Sequence, residues 1–122
     1  MEMMTMSSDV QMDETQIACF SIISYVGEAK SCYMEALRAA RKGEFDQART
    51  LVEQGSAHFA EGHQAHGTLI TREAATGDVP TSLLLMHAEA QLMDAESCKT
   101  YTVEFIELHE ELTALRKGMA AA

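Results

Sequence analysis

Residues 81–93 read Thr81-Ser-Leu-Leu-Leu-Met-His87-Ala-Glu-Ala-Gln-Leu-Met93. Directly before them stands the only proline, Pro80, and after them nothing interrupts a helical pattern until Gly118. The spacing predicts one long helix from Thr81 to Lys117, about 55 Å at 1.5 Å rise per residue. Its main stripe runs Leu84, Ala88, Gln91, Ala95, Cys98, Tyr101, Phe105, Leu108, Leu112 and Leu115, with Gln91 the polar exception. A second stripe, Leu83, Met86, Ala90, Met93 and Ser97, makes the N-terminal half apolar around much of its circumference. One stripe suffices for a lone three-helix fold. The consecutive residues Leu83, Leu84, Leu85 and Met86 therefore predict burial by other copies of the chain as well, a homo-oligomer built around this helix.

Two shorter amphipathic segments precede it. Ile22, Val26, Ala29, Tyr33, Leu37 and Ala40 recur at threes and fours and are closed by Arg41, Lys42 and Gly43. The next stripe, Phe45, Ala48, Val52, Gly55, Phe59, Gly62, His66, Leu69 and Glu73, runs until Gly77. Its two glycines predict a close helix contact, at a propensity cost of about 1 kcal/mol each. The fold class is all-α, an antiparallel three-helix bundle. Residues 1–15 are Met-, Ser- and Asp-rich without sustained periodicity and are expected to form a mobile tail, with the bundle over 16–118 and a short tail over 119–122.

A chain of 122 residues has room for one core. A formal charge of -10 without Trp leaves no basic stripe to neutralise phosphates, which argues against nucleic acid and for protein partners with basic patches. There is no basic leader and no apolar run of membrane-spanning length, so a cytosolic protein without membrane insertion is expected. Cys19, Cys32 and Cys98 lack C-x-x-C pairing and fall among helical apolar positions, which predicts reduced core thiols.

The candidate chemistry lies in five histidines: His58, His63, His66, His87 and His109. None adjoins a recognisable nucleophile motif, and no glycine-rich phosphate loop is present. His63 and His66, at i and i+3, could share a metal, but two ligands without a third are a weak signal. The plainer reading packs His66 in the core stripe with His63 at its edge. His87 follows the apolar run, where a hydrophobic surface meets solvent or a neighbouring subunit. By pattern alone it reads more readily as a hydrogen-bonded structural histidine than as a functional one.

The run from Thr81 to Met93 resembles the active-site helix of the lactose/cellobiose-type enzyme IIA family of the bacterial sugar phosphotransferase system. That family's pattern is Leu-x-x-His-Ala-Gln-Asp-His-Leu-Met. Ile22 to Ala29 with Lys30 and Ser31, Gly43-Glu-Phe45, Glu61-Gly-His63, Leu69-Ile70, Glu73-Ala74 and Ile106-Glu-Leu-His109 follow the same order and spacing, so the likeness covers about Gln16 to Leu115. It implies a trimer of three-helix subunits. It also implies that His87 accepts a phosphoryl group from the histidine-containing phosphocarrier protein and passes it to a cysteine of an enzyme IIB component in disaccharide uptake. The family's carrier does not touch sugar, so which disaccharide is taken up is not written in this chain.

Three positions depart from the pattern. Ala90 replaces an Asp that in the resembling proteins lies near the trimer axis and is bridged, with its two copies, by a divalent cation. Three carboxylates about 5 Å apart at an effective dielectric near 20 repel by roughly 3 kcal/mol per pair without a metal. Ala90 removes both the repulsion and the ligand, so a trimer with neither cofactor nor axial metal is expected, packed through Leu83, Met86, Ala90 and Met93. Glu89 stands where the family has Gln, and as an i+2 residue is expected to point away from His87. Gln91 replaces a second His and, one turn on, can still donate a hydrogen bond to the ring or the phosphoryl group as an orienter. These changes leave open a second class of function, a non-transferring helical trimer of the same family acting in regulation as an interaction protein. A metal-binding bundle using His63 and His66 ranks below both.

Overall fold

The computed structural model describes residues 11–121, which form three helices: α1 (Glu14–Arg41), α2 (Phe45–Thr76) and α3 (Leu83–Ala121). Most of the expected N-terminal tail, residues 1–10, lies outside the described residues, as does Ala122. Where the chain is described, order begins earlier than composition suggested. Asp13 Oδ1 accepts a hydrogen bond from the Gln16 N–H at 2.8 Å, and the Asp13 N–H donates in return to Gln16 Oε1 at 3.0 Å. This capping box supplies two partners that a helix start otherwise lacks, so Glu14 and Thr15 are helical. Arg72 of α2 then reaches Thr15 and Glu14, fastening the new turn to the bundle.

α1 ends in a Schellman motif. Gly43, at φ 82°, donates to the Ala40 carbonyl at 3.0 Å, and Glu44 donates to the Ala39 carbonyl at 2.9 Å. α2 ends in the simpler left-handed cap, on Gly77 at φ 67°, whose N–H donates to the Glu73 carbonyl at 2.8 Å. α3 begins at Leu83, two residues later than expected, and the hydroxyl of Ser82 before it accepts from the Leu85 N–H at 3.0 Å. At its other end the expected stop at Gly118 is not observed: the helix continues to Ala121, and a Cβ at Gly118 would meet nothing within 4 Å. A lone exposed glycine weakens a helix without ending it unless its φ turns positive.

α1 is the central element and packs against both other helices, while α2 and α3 touch one another over a much smaller area. The core falls into two clusters. One joins Cys19, Ile22 and Val26 to Leu69 and to Ala88, Leu92 and Ala95; the other joins Ala36, Ala39 and Ala40 to Ala48, Leu51 and Ile106. Between them the fully buried Tyr33 and Thr102 fill the middle of the bundle. Of the stripes expected on the first two helices, Ile22, Val26, Ala29, Tyr33, Ala40, Ala48, Gly55, Gly62 and Leu69 are buried, joined by Cys19, Ala36, Ala39 and Leu51; Leu37, Phe45, Val52, Phe59 and His66 are half-buried and Glu73, at the end of its stripe, is exposed.

On α3 the expected main stripe is only partly right. Its buried residues are Ala88, Leu92, Ala95, Thr102 and Ile106, whereas Tyr101, Phe105, Leu108 and Leu115 are exposed on the single chain. α3 carries apolar residues on two faces, and counting at threes and fours from Leu84 drifts from one face to the other by Tyr101. Among the described residues no helix is long and apolar enough to cross a membrane.

Candidate functional site

His87 is the fifth residue of α3 and its side chain is exposed. Side chains on an α-helix lean toward its N-terminus, so the imidazole lies over the first turn. There the backbone N–H groups not taken by Ser82 face outward, and the positive end of the helix dipole favours an anion. The side chain is exposed and makes no side-chain hydrogen bond among the described residues. Behind it, Ala88 is fully buried against α1, which fixes the helix on which the ring is carried.

The remaining predicted residues separate into two faces. Leu83 at 83% exposure, Met86 at 59% and Met93 at 62% form, with the exposed Ala90 and Ser97, an uncovered apolar strip beside His87. This is the second stripe of the sequence, and nothing in the single chain buries it. Gln91 lies one turn beyond His87 and is half-buried, without a hydrogen bond to the ring among the described residues.

Glu89 does turn away from His87, and it turns toward α2. Its Oε1 lies 2.5 Å from Nε2 of His66, whose side chain is 17% exposed. An ionised carboxylate only accepts hydrogen bonds, so Nε2 carries the proton. This pairing was not legible in the sequence, since the partners are 23 positions apart on different helices. His66 is thus not a plain core residue. His63 is exposed and stacks on Phe59 at 5.9 Å, while its ring centroid is 6.3 Å from that of His66. Among the described residues no three His, Cys, Asp or Glu side chains converge as a metal would need.

Near this pair lies Cys19, fully buried on α1. Burial pushes its thiol above the ordinary value, and the charges of Asp13 and Glu89 push in the same direction. All three cysteines are free thiols, with Cys32 and Cys98 half-buried. On the other side of α3, Lys30 of α1 meets Asp94 at 2.6 Å, an exposed ion pair that raises the lysine's proton affinity.

Comparison with known proteins places this arrangement. The family described as "PTS system, Lactose/Cellobiose specific IIA subunit" matches residues 17–110, which include α1 from Ile17 onward, all of α2 and the segment of α3 bearing His87. The chain belongs to the lactose/cellobiose-specific IIA family of the phosphotransferase system. As a IIA subunit it is a phosphotransferase component, of a kind that serves phosphoryl transfer in sugar uptake. It is 36% identical over 99 residues to the lactose-specific EIIA component of Staphylococcus epidermidis, covering 81% of this chain and 95% of that one. It is 35% identical over 98 residues to the corresponding component of Streptococcus mutans, covering 80% and 94%. Among solved structures, the cellobiose-specific enzyme IIA of Bacillus anthracis superposes with a TM-score of 0.82 at 33% identity, covering 85% and 95%. The IIA(Chitobiose) subunit in its complex with HPr, from the Escherichia coli phosphotransferase system, superposes with a TM-score of 0.72 at 31% identity, covering 84% and 99%. The IIA fold expected from residues 81–93 is therefore the fold observed.

Proposed function

We infer that this IIA subunit is a phosphoryl carrier whose acceptor is His87. The observation that carries the reading is the placement of that ring: exposed, unpartnered among the described residues, and over the positive first turn of α3. A neutral imidazole nitrogen attacks the phosphorus of a donor phosphohistidine in line. The new P–N bond forms as the donor's P–N bond breaks, and the donor imidazole leaves without any change in phosphate oxygens. Transfer onward reverses the roles, with a thiolate sulfur as the attacking atom and His87 as the leaving group. The protein need only present the ring and exclude water.

The donor is the histidine-containing phosphocarrier protein, a partner supported by the structures of a related IIA subunit bound to HPr. The acceptor is a cysteine of an enzyme IIB component. Both encounters occur in the cytoplasm, steered by the acidic surface toward basic patches. The sugar served is a disaccharide. Gln91 acts as an orienter once a phosphoryl group is present, swinging its amide from one turn away.

The subunit works as a homotrimer closed by the uncovered strip of Leu83, Met86, Ala90 and Met93, without cofactor and without an axial cation. Ala90 has no ligand atom to offer one. Radiolabel transferred from phosphoenolpyruvate through enzyme I and the phosphocarrier to His87 tests the reading. The run His87-Ala-Glu-Ala-Gln91 motivates a second reading, a trimer that binds the phosphocarrier without accepting its phosphate; stable complex formation with no label would favour it.

A further inference from the structure

The seam between α2 and α3 is the thinnest in the bundle, and among the described residues two polar side-chain contacts bridge it: the Arg49–Glu110 ion pair toward one end and the His66–Glu89 hydrogen bond toward the other. Only the second lies at the phosphoryl end. Glu89 is two residues from His87, so its carboxylate is the acidic group nearest in sequence to the proposed acceptor. Its side chain is 38% exposed, and an unrestrained glutamate with that much freedom would sweep out over the helix surface. A phosphoryl group is dianionic, and a free carboxylate within a turn of it opposes both its arrival and the approach of its donor. In the structure Oε1 instead lies 2.5 Å from His66 Nε2, on the α2 side.

The half-buried setting of His66 makes the capture directional. Its side chain is only 17% exposed and the His63 ring lies tilted beside it at 6.3 Å, itself stacked on Phe59, so the donor nitrogen has little choice of aim. Glu89 in turn follows Ala88, which is locked in the core, so the reach of its carboxylate is set by a fixed backbone. We propose that His66 is a positioning residue for phosphoryl transfer, which draws the Glu89 carboxylate onto α2 and clears negative charge from the face that His87 presents. This rests on His87 being the acceptor.

The test follows label from phosphoenolpyruvate, through enzyme I and the phosphocarrier, into the full-length chain at varied phosphocarrier concentration. His66→Ala is expected to slow labelling about three- to tenfold at low donor concentration, mainly through a raised KM for the phosphocarrier. His66→Gln, which keeps a side-chain donor, should restore labelling to within about twofold of wild type. The double variant His66→Ala with Glu89→Gln should run within about twofold of Glu89→Gln alone, because the misplaced charge is gone. If the double variant is as slow as His66→Ala, or His66→Ala is as fast as wild type, the positioning role is wrong while the carrier reading stands. If wild type itself takes no label, the carrier reading falls and this role with it.

Discussion

Gly55 of α2 faces Tyr33 of α1 so closely that a Cβ at position 55 would lie 2.7 Å from the Tyr33 ring and 3.0 Å from the Ala29 carbonyl oxygen. The fully buried Tyr33 has its hydroxyl 3.4 Å from Ser56 Oγ, so the ring has little room to yield. Gly55→Ala should therefore destabilise the fold by about 1–3 kcal/mol, even though alanine is the better helix former. Gly27, where a Cβ meets nothing within 4 Å, is the control. Gly27→Ala should stabilise by about 0.5–1 kcal/mol. Urea midpoints of the two variants should move in opposite directions from wild type.

The capping box at Asp13 makes a second measurable claim. Asp13→Ala removes the acceptor for the Gln16 N–H and should cost about 0.5–2 kcal/mol, with amide exchange speeding first in residues 14–18. A protection pattern unchanged in that turn would show that the tie from Arg72 to Thr15 and Glu14 holds it without the cap.

Alkaline pH should weaken the fold. Burial pushes the Cys19 and Cys32 thiols above their ordinary 9.0, with nearby carboxylates adding to the effect, and pushes the Tyr33 phenol above 10.0 against the opposing hydrogen bond with Ser56. In each case the folded chain keeps a proton that the unfolded chain releases. The stabilisation is complete below about pH 9 and is lost as pH rises through the raised folded values. Denaturation midpoints should fall as pH rises above about 9, and less steeply in Cys19→Ala. A flat profile would contradict the burial of these groups.

The uncovered strip on α3 predicts how assembly fails. Met93→Lys places a charge where 62% of the side chain is exposed on the single chain and apolar packing with other copies is proposed. It should yield a helical species of one-third the wild-type mass in solution. Chelator should leave the wild-type mass unchanged, whereas Ala90→Asp should make assembly depend on added divalent cation. Wild-type dissociation in chelator would overturn the metal-free trimer.

How much of this was legible beforehand depended on how far each signal reached. Stripes such as Ile22, Val26, Ala29 and Tyr33 repeat locally and exposed two of three helix faces correctly, as did the glycines at 55 and 62. α3 was harder because it is apolar on two faces, and Leu92, Thr102 and Ile106 take the core while Tyr101 and Phe105 do not. Periodicity identifies an apolar face but does not say which neighbour covers it. The start of α1 was missed because Asp13 and Gln16 are polar, and their signal is a reciprocal hydrogen bond, not hydrophobic repetition. The exposed place of His87 near the start of α3 was readable from the apolar run before it, whereas the His66–Glu89 contact needed the packing of α2 against α3.

The central claim is that His87 carries the phosphoryl group, and the most direct measurement is acid lability of label on the intact chain. With phosphoenolpyruvate, enzyme I and the phosphocarrier, the wild type should gain one phosphate per chain that is lost in acid and survives in alkali, while His87→Ala gains none. Absence of label on wild type, or equal labelling of His87→Ala, would contradict the account.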